Sequence, residues 1–430
     1  MNLQKLPVLG IALCMAAAQA DDYADARADL VTAYEAQDYA AMRAAAAASL
    51  EARPEYPGAL INKALSEVLN GDADAAMETL GRLLEKQIDY GVENIEAFAV
   101  LREHPVWTSY RANIDRIRQP VGSAERFASF DKPDFVPEGI AIAEGGGVVL
   151  GGIRHGQLLV QAHHGPDLVI EPAGHWSVFG MRFDGREGLW FASSRVPQYA
   201  GISDRSAYRA GLFRLDLDTL EISHRARLPV NGNDQVLGDL VIAGDDTIYT
   251  TDSVDGPVYR YSIPAGEYST LVPTGVFGSP QGLVLDESGE FLYVADYIGG
   301  LSRVRIADGG VEKLAVPAAV SDYGIDGLYR HGSRLIAIQN GIQPHRVVTF
   351  ELAPDGLSIV GSRLIASNLP EFDEPTLGTI VGEQLFFVAN SHWNRFDQDN
   401  NLPDELVGPV ILSVAIEGGS DETRHGNRMP

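Results

Sequence analysis

Six stretches of this chain repeat one pattern, and that repeat constrains the fold more than any other feature of the sequence. Each begins with a polar or small residue, usually followed by Gly. A short apolar strand, a tight turn, a second strongly β-forming strand and a polar stop complete it. The stretches cover 137–151, 178–193, 237–252, 280–296, 325–340 and 375–390. They open on Pro137-Glu138-Gly139-Ile140, Val178-Phe179-Gly180-Met181, Leu237-Gly238-Asp239-Leu240, Pro280-Gln281-Gly282-Leu283, Ile325-Asp326-Gly327-Leu328 and Pro375-Thr376-Leu377-Gly378. The equivalent positions Gly139, Gly180, Asp239, Gly282, Gly327 and Leu377 lie 41, 59, 43, 45 and 50 residues apart. A period of about 45 residues, with room for four short strands, is that of a propeller blade.

Runs such as Gly147-Val148-Val149-Leu150 and Leu292-Tyr293-Val294-Ala295 are apolar almost without a break, as strands buried between neighbouring blades must be. Val258-Tyr259-Arg260-Tyr261 and Ser302-Arg303-Val304-Arg305-Ile306 alternate more, as strands nearer the rim should. An open ring would leave an unpaired edge. Val410-Ile411-Leu412-Ser413-Val414 and Arg126-Phe127-Ala128-Ser129-Phe130 are therefore expected to share the sixth blade. The prediction is a mainly β chain whose body, 124–416, is a six-bladed β-propeller, with a flexible polar tail over 417–430.

Ahead of the propeller the pattern is helical. Between 22 and 119 apolar residues recur at three- and four-residue spacing and strand-forming runs are missing. Turn signals at Ala36-Gln37-Asp38, Arg53-Pro54-Glu55 and Asn70-Gly71-Asp72 divide the segment into antiparallel helices. Tyr56-Pro57-Gly58-Ala59-Leu60, followed by Gly71-Asp72-Ala73-Asp74-Ala75-Ala76, resembles a tetratricopeptide-repeat unit. Ala97-Phe98-Ala99-Val100-Leu101-Arg102, then Pro105-Val106-Trp107, resembles the helix that closes such an array. The resemblance covers about two repeats, too few to bury a core alone. A small all-α domain over 21–119 is thus expected to lean on the propeller, either as a groove for a protein partner or as a cap.

The first 20 residues read as a secretory signal: Lys5, a short apolar stretch over 6–18, and the small-x-small site Ala18-Gln19-Ala20 before Asp21. Export to the periplasm or outside follows. The one cysteine, Cys14, leaves with the signal, which excludes thiol catalysis and thiolate metal sites. No later run is apolar enough for an integral membrane segment. Against 33 Lys plus Arg stand 59 Asp plus Glu, a net charge of −26. Such a surface repels phosphate backbones, so nucleic acid is not an expected partner.

In each blade the residue before the aligned position starts the innermost strand at one mouth of the central channel. Those residues are Glu138, Phe179, Gly238, Gln281, Asp326 and Thr376. Two carboxylates and an amide on one axis, with no basic residue among them, call for a proton or a cation between them. An all-oxygen donor set suits a hard divalent ion. The opening phrases of the blades, with Tyr249-Thr250-Thr251-Asp252 and Tyr293-Val294-Ala295-Asp296, resemble the senescence-marker/gluconolactonase/luciferin-regenerating family. The resemblance spans roughly 127–414 and implies a six-bladed propeller that holds one divalent cation and hydrolyses small lactones or esters. By that resemblance Glu138 and Asp326 are metal ligands and catalytic residues. Gln281 stands where an asparagine ligand is expected. Gly238 replaces another, with Asp239 beside it either supporting the ligands from behind or serving as a replacement ligand. Ca²⁺ is the first expectation, Zn²⁺ or Mn²⁺ the alternatives, and a small lactone or ester the substrate.

His175 and the pair His392-Trp393 fall on loops between strands, where substrate contacts are usual, and Glu374 lies just outside the sixth channel position. These four are the candidate substrate-binding residues, against the alternative that each His packs on its Trp to hold a loop. His163-His164 before Gly165-Pro166 reads as a turn. No Gly-x-Ser-x-Gly elbow, phosphate-cradling loop or dinucleotide fingerprint is present. The rival account is a non-catalytic binding or scaffold protein that uses the helices and propeller as interaction surfaces.

Overall fold

The computed structural model describes residues 22–143, 145–161, 167–201, 209–244 and 246–417. The leader, the His163-His164 turn and the polar tail after 417 lie outside them.

Six four-stranded antiparallel sheets form the propeller. The inner strands are Pro137–Ile142, Ser177–Phe183, Leu237–Ala243, Pro280–Leu285, Ile325–His331 and Gly378–Val381, in blades 1 to 6. Each touches the next around the ring, and the last returns to the first. Blade 6 is closed as the sequence anticipates: Glu125–Ser129 pairs antiparallel with Val410–Ala415 and supplies the outermost strand. That mixed blade joins the two ends of the propeller and removes an open edge.

The second strands, such as Val148–Gly152 and Phe291–Asp296, are almost wholly buried, which explains their unbroken apolar sequence. Where the inner strands begin, the ladder slips. In blade 1 Pro137 pairs with Gly152 and the next pair is Ile140 with Leu150, so Glu138 and Gly139 stand outside the pairing. The same bulge frees Phe179-Gly180, Gly238-Asp239, Gln281-Gly282 and Asp326-Gly327. A bulge bends the strand and re-aims its side chains. Here it does so at the one residue per blade that faces the channel mouth. The glycine after it is required by packing. A Cβ on Gly139 would sit 1.9 Å from the Phe179 carbonyl oxygen, and one on Gly180 would sit 2.1 Å from Asp239 Oδ1.

The helical region comprises α1 (Asp22–Glu35), α2 (Tyr39–Ala52), α3 (Pro57–Leu69), α4 (Ala73–Glu85) and α5 (Trp107–Ile117). Asp38 and Asp72 cap α2 and α4, accepting from Ala41 N at 3.0 Å and Ala75 N at 3.3 Å. The three turn signals fall between the helices. The stretch expected to begin the closing helix is instead 3₁₀, Glu96–Glu103, and the closing α-helix starts at Trp107.

This region is packed on the propeller. Ile342, on the hairpin loop of blade 5, belongs to the helical core with Leu83, Ile88, Val92 and Phe98. Burying that side chain is worth about 1.5–3 kcal/mol. Tyr23, Tyr56 and Tyr323 pack in a row, the first pair edge to face and the second tilted, with ring centroids 5.5 and 5.1 Å apart, and Tyr323 Oη donates to Pro54 O at 2.8 Å. Asp89 N donates to Gln343 O at 2.8 Å, and Arg346 Nη1 to Lys86 O and Gln87 O at 3.2 and 3.3 Å. Among the described residues no helix is long and apolar enough to cross a membrane.

Candidate functional site

The bulges of blades 1 and 5 bring Glu138 and Asp326 to the same channel mouth, close enough for the Asp326 charge to act on Glu138. Glu138 is buried, 5% exposed. Its Oε2 accepts from Trp393 Nε1 at 2.6 Å. Burial pushes its carboxyl well above the usual range; the Asp326 and Glu374 charges push the same way, against the hydrogen bonds from Trp393 and Thr376. Asp326 lies deep in the channel, with a partly open face. Its Oδ2 accepts from Asn340 Nδ2 at 2.6 Å. Burial raises it to about 7, with the Asp239 charge adding and the Asn340 hydrogen bond opposing. Glu374, also raised to about 7 mainly by burial, feels the charges of Asp326 and Asp373. Its Oε2 takes the Asn394 backbone N–H at 2.7 Å.

Among the described residues no basic side chain is a leading influence on Glu138 or Asp326. Buried carboxylates so placed need a proton or a cation. Among the described residues no three carboxylate, imidazole or thiolate groups come together as they would around one metal ion. A cation held here would therefore rest on two carboxylates and on amide oxygen. The donors fit a hard ion in kind. Gln281 donates through Nε2 to Ser279 Oγ at 3.1 Å, and its Oε1 lies 3.3 Å from where a Gly238 Cβ would stand. The amide oxygen thus borders the space left by the missing third-blade side chain.

Asp239 lies near enough for its charge to act on Asp326, but its side chain is held by other groups. Its side chain lies against Gly180 of the neighbouring inner strand, pairs with Arg182 Nη2 at 3.2 Å and accepts from Leu240 N at 2.8 Å. Arg182 offsets part of its charge, which still acts on Asp326, so Asp239 is an ion-paired neighbour of the Glu138–Asp326 pair. Arg182 also lies 5.6 Å from the centroid of the Tyr329 ring. Since Arg182 belongs to blade 2 and Tyr329 to blade 5, the guanidinium reaches across the channel.

Trp393 covers the mouth: while its indole N–H holds Glu138, its ring stacks on Phe179 at 6.2 Å. His392 does not reach the carboxylates. It is buried, with Nε2 donating to Val407 O at 2.8 Å; Nδ1 faces Asp373 Oδ2 at 3.3 Å without hydrogen-bond geometry. His175 is a packing residue, set against Phe191 and Phe213 at 5.1 and 5.7 Å and donating to Gly156 O at 2.9 Å. Burial lowers it to about 4, so it is neutral at ordinary pH. Phenylalanines hold the His175 ring and the Val407 carbonyl holds His392, in place of the Trp neighbours that the packing alternative named.

The backbone around the pair is unusual. Val136, Glu374 and His392 have φ of 51°, 63° and 62°. Left-handed conformations cost non-glycine residues free energy, most of all a β-branched one, and cluster at functional sites. Two residues of the site escaped the sequence reading. Asn340 carried a partial signal, since it ends the fifth repeat, just past the strand that pairs with the one bearing Asp326. Arg182 carries no such signal, because its role depends on a side chain crossing between blades.

The propeller region is similar in structure to several solved proteins. One is a provisionally named gluconolactonase, at 16% identity and a TM-score of 0.46, covering 68% of this chain and 91% of that one. Another is regucalcin from Agrobacterium tumefaciens, described as a calcium-binding protein, at 14% identity and a TM-score of 0.49, over 68% and 95%. A third is the PQQ-bound aldose sugar dehydrogenase of Streptomyces coelicolor, at 13% and 0.47, over 69% and 98%. No family profile and no curated protein matches the chain.

Proposed function

We propose that this protein is an exported hydrolase of small lactones or esters that works at the propeller mouth, with Glu138 and Asp326 as its central groups. The observation that carries the reading is a pair of buried carboxylates, on blades 1 and 5 of one channel, with no ion-pair partner among the described residues for either. A fold that spends stability on such a pair holds something positive between its members. By donor chemistry that is a hard divalent cation, Ca²⁺ first, held by Glu138 and Asp326 with the Gln281 amide oxygen as the weaker third donor. Bound there, it would polarise a lactone or ester carbonyl.

The chain's own groups would do the rest. Trp393 Nε1 fixes the Glu138 carboxylate, and its ring with Phe179 gives an apolar face on which a ring-shaped substrate can lie. The space beside Gly238 leaves room for that substrate next to Gln281. Glu374, with its proton affinity near neutrality, is suited to take a proton from an attacking water. The leader read over 1–20 supports export.

The test is hydrolysis of a panel of aldonolactones and aryl esters by the mature protein, with and without EDTA. Turnover that is lost in EDTA, in Glu138→Gln and in Asp326→Asn supports the proposal. No turnover with any member, together with no effect of metal on thermal unfolding, would favour the scaffold reading.

A further inference from the structure

The blade-5 hairpin loop, 340–345, connects two parts of the molecule that the sequence treats as separate. At its start Asn340 donates through Nδ2 to Asp326 Oδ2 at 2.6 Å. The amide is oriented by Tyr297, whose hydroxyl donates to Asn340 Oδ1 at 3.0 Å, so the N–H side must face the carboxylate. Two residues on, Ile342 is 4% exposed and lies inside the helical core. Asp89 of the helical region holds Gln343 O at 2.8 Å.

The other approach to Asp326 is gripped as well. Tyr323, three residues upstream, packs on Tyr56 and donates to Pro54 O. Between these grips the two segments are tied backbone to backbone: Gly324 N donates to Tyr297 O at 2.9 Å and Gly341 N to Gly324 O at 3.1 Å. Gly324 has a φ of 66°, and a Cβ there would lie 2.8 Å from the Gly341 Cα. Little slack remains between the helical core and the carboxylate.

We propose that the helical region is a wall of the site, setting the position of Asp326 through the 340–345 loop, with Asn340 and Ile342 as positioning residues. The inference rests on the functional reading only in taking Asp326 as a site residue. A shared hydrophobic plug transmits displacement because packed cores do not deform continuously. Loosening Ile342 in its socket therefore loosens Asn340, and with it the clamp on Asp326.

The experiment is carboxyl footprinting of the full chain, using a carbodiimide and an amine with peptide mass spectrometry. It compares wild type with Asn340→Ala, Ile342→Ala and Ile342→Met. The proposal expects labelling of Asp326 to rise several-fold in both alanine variants while Glu138, held from the other side by Trp393, stays at its wild-type rate. Ile342→Met, which refills the socket, should return Asp326 toward wild type. Unchanged Asp326 labelling in Asn340→Ala overturns the proposal, even if Ile342→Ala fails to fold. A rise shared equally by Asp326, Glu138 and Asp296 also overturns it, since that marks general loosening. Because labelling needs neither metal nor turnover, a failure here is separable from a failure of the hydrolase reading.

Discussion

Glu374→Gln should make this protein clearly more stable at pH 8 and by less than about 1 kcal/mol at pH 5. In the fold the Glu374 carboxyl titrates near 7, against 4.5 for the free group, chiefly because it is buried. The folded state therefore binds the proton more tightly than the unfolded chain does. Below about pH 4.5 both states are protonated and nothing is lost. Between 4.5 and 7 the penalty grows, and above 7 it is complete. At about 1.36 kcal/mol per pH unit the interval corresponds to about 3 kcal/mol, an upper figure because the side chain keeps a partly open face. Glutamine keeps an oxygen for the Asn394 N–H, which lies 2.7 Å from Oε2, and removes the charge. With an unfolding entropy of about 2.1 cal/mol/K per residue over roughly 400 residues, about 3 kcal/mol raises Tm by about 4 °C. The assay is thermal unfolding of wild type and variant in EDTA from pH 5 to 8. A gain that does not change with pH, or that is already full at pH 5, refutes the argument that burial and charge, not packing, set the cost.

Other perturbations address other parts of the account. Trp393→Phe keeps the ring over Phe179 and removes the donor to Glu138, and should cost about 1–3 kcal/mol at pH 8 in denaturant unfolding; no loss would mean the indole N–H does not hold the carboxylate. Gly139→Ala puts a methyl 1.9 Å from the Phe179 carbonyl and should lower soluble yield and Tm sharply, whereas Gly71→Ala, with nothing within 4 Å of its Cβ but a φ of 79°, should cost no more than about 1–2 kcal/mol. Gly238→Asn should be tolerated, its Cβ meeting the end of the Gln281 side chain at 3.3 Å and Ser253 at 3.8 Å, and should tighten cation binding by about tenfold, or about 1.4 kcal/mol, in calorimetric titration. Unaltered affinity in that variant would place the cation away from blade 3.

The propeller was legible because its physics is local and repeated. Each blade must bury its second strand and leave one small residue where inner strands touch, and both demands recur in the sequence at a near-constant period. The closing of blade 6 followed from the need to pair an edge. Glu138 and Asp326 could be placed together because equivalent positions of a ring face one axis. What the repeat does not encode was harder to read. Asp239 looked like a spare ligand, but its fate was decided by Arg182, from a neighbouring blade. His392 and His175 looked accessible because they lie on loops, whereas their rings are spent on Val407 O and Gly156 O. The grip of the helical region on the blade-5 loop depends on Ile342, one apolar residue in a loop, which no periodicity distinguishes.

The account stands on the Glu138–Asp326 pair holding one cation at the channel mouth. Isothermal titration of the EDTA-stripped protein with Ca²⁺, repeated with Glu138→Gln and Asp326→Asn, tests this directly. One ion per chain in wild type, with binding lost or weakened by tenfold or more, about 1.4 kcal/mol, in each variant, is the predicted result. Binding absent from wild type, or equally strong after either substitution, would contradict it.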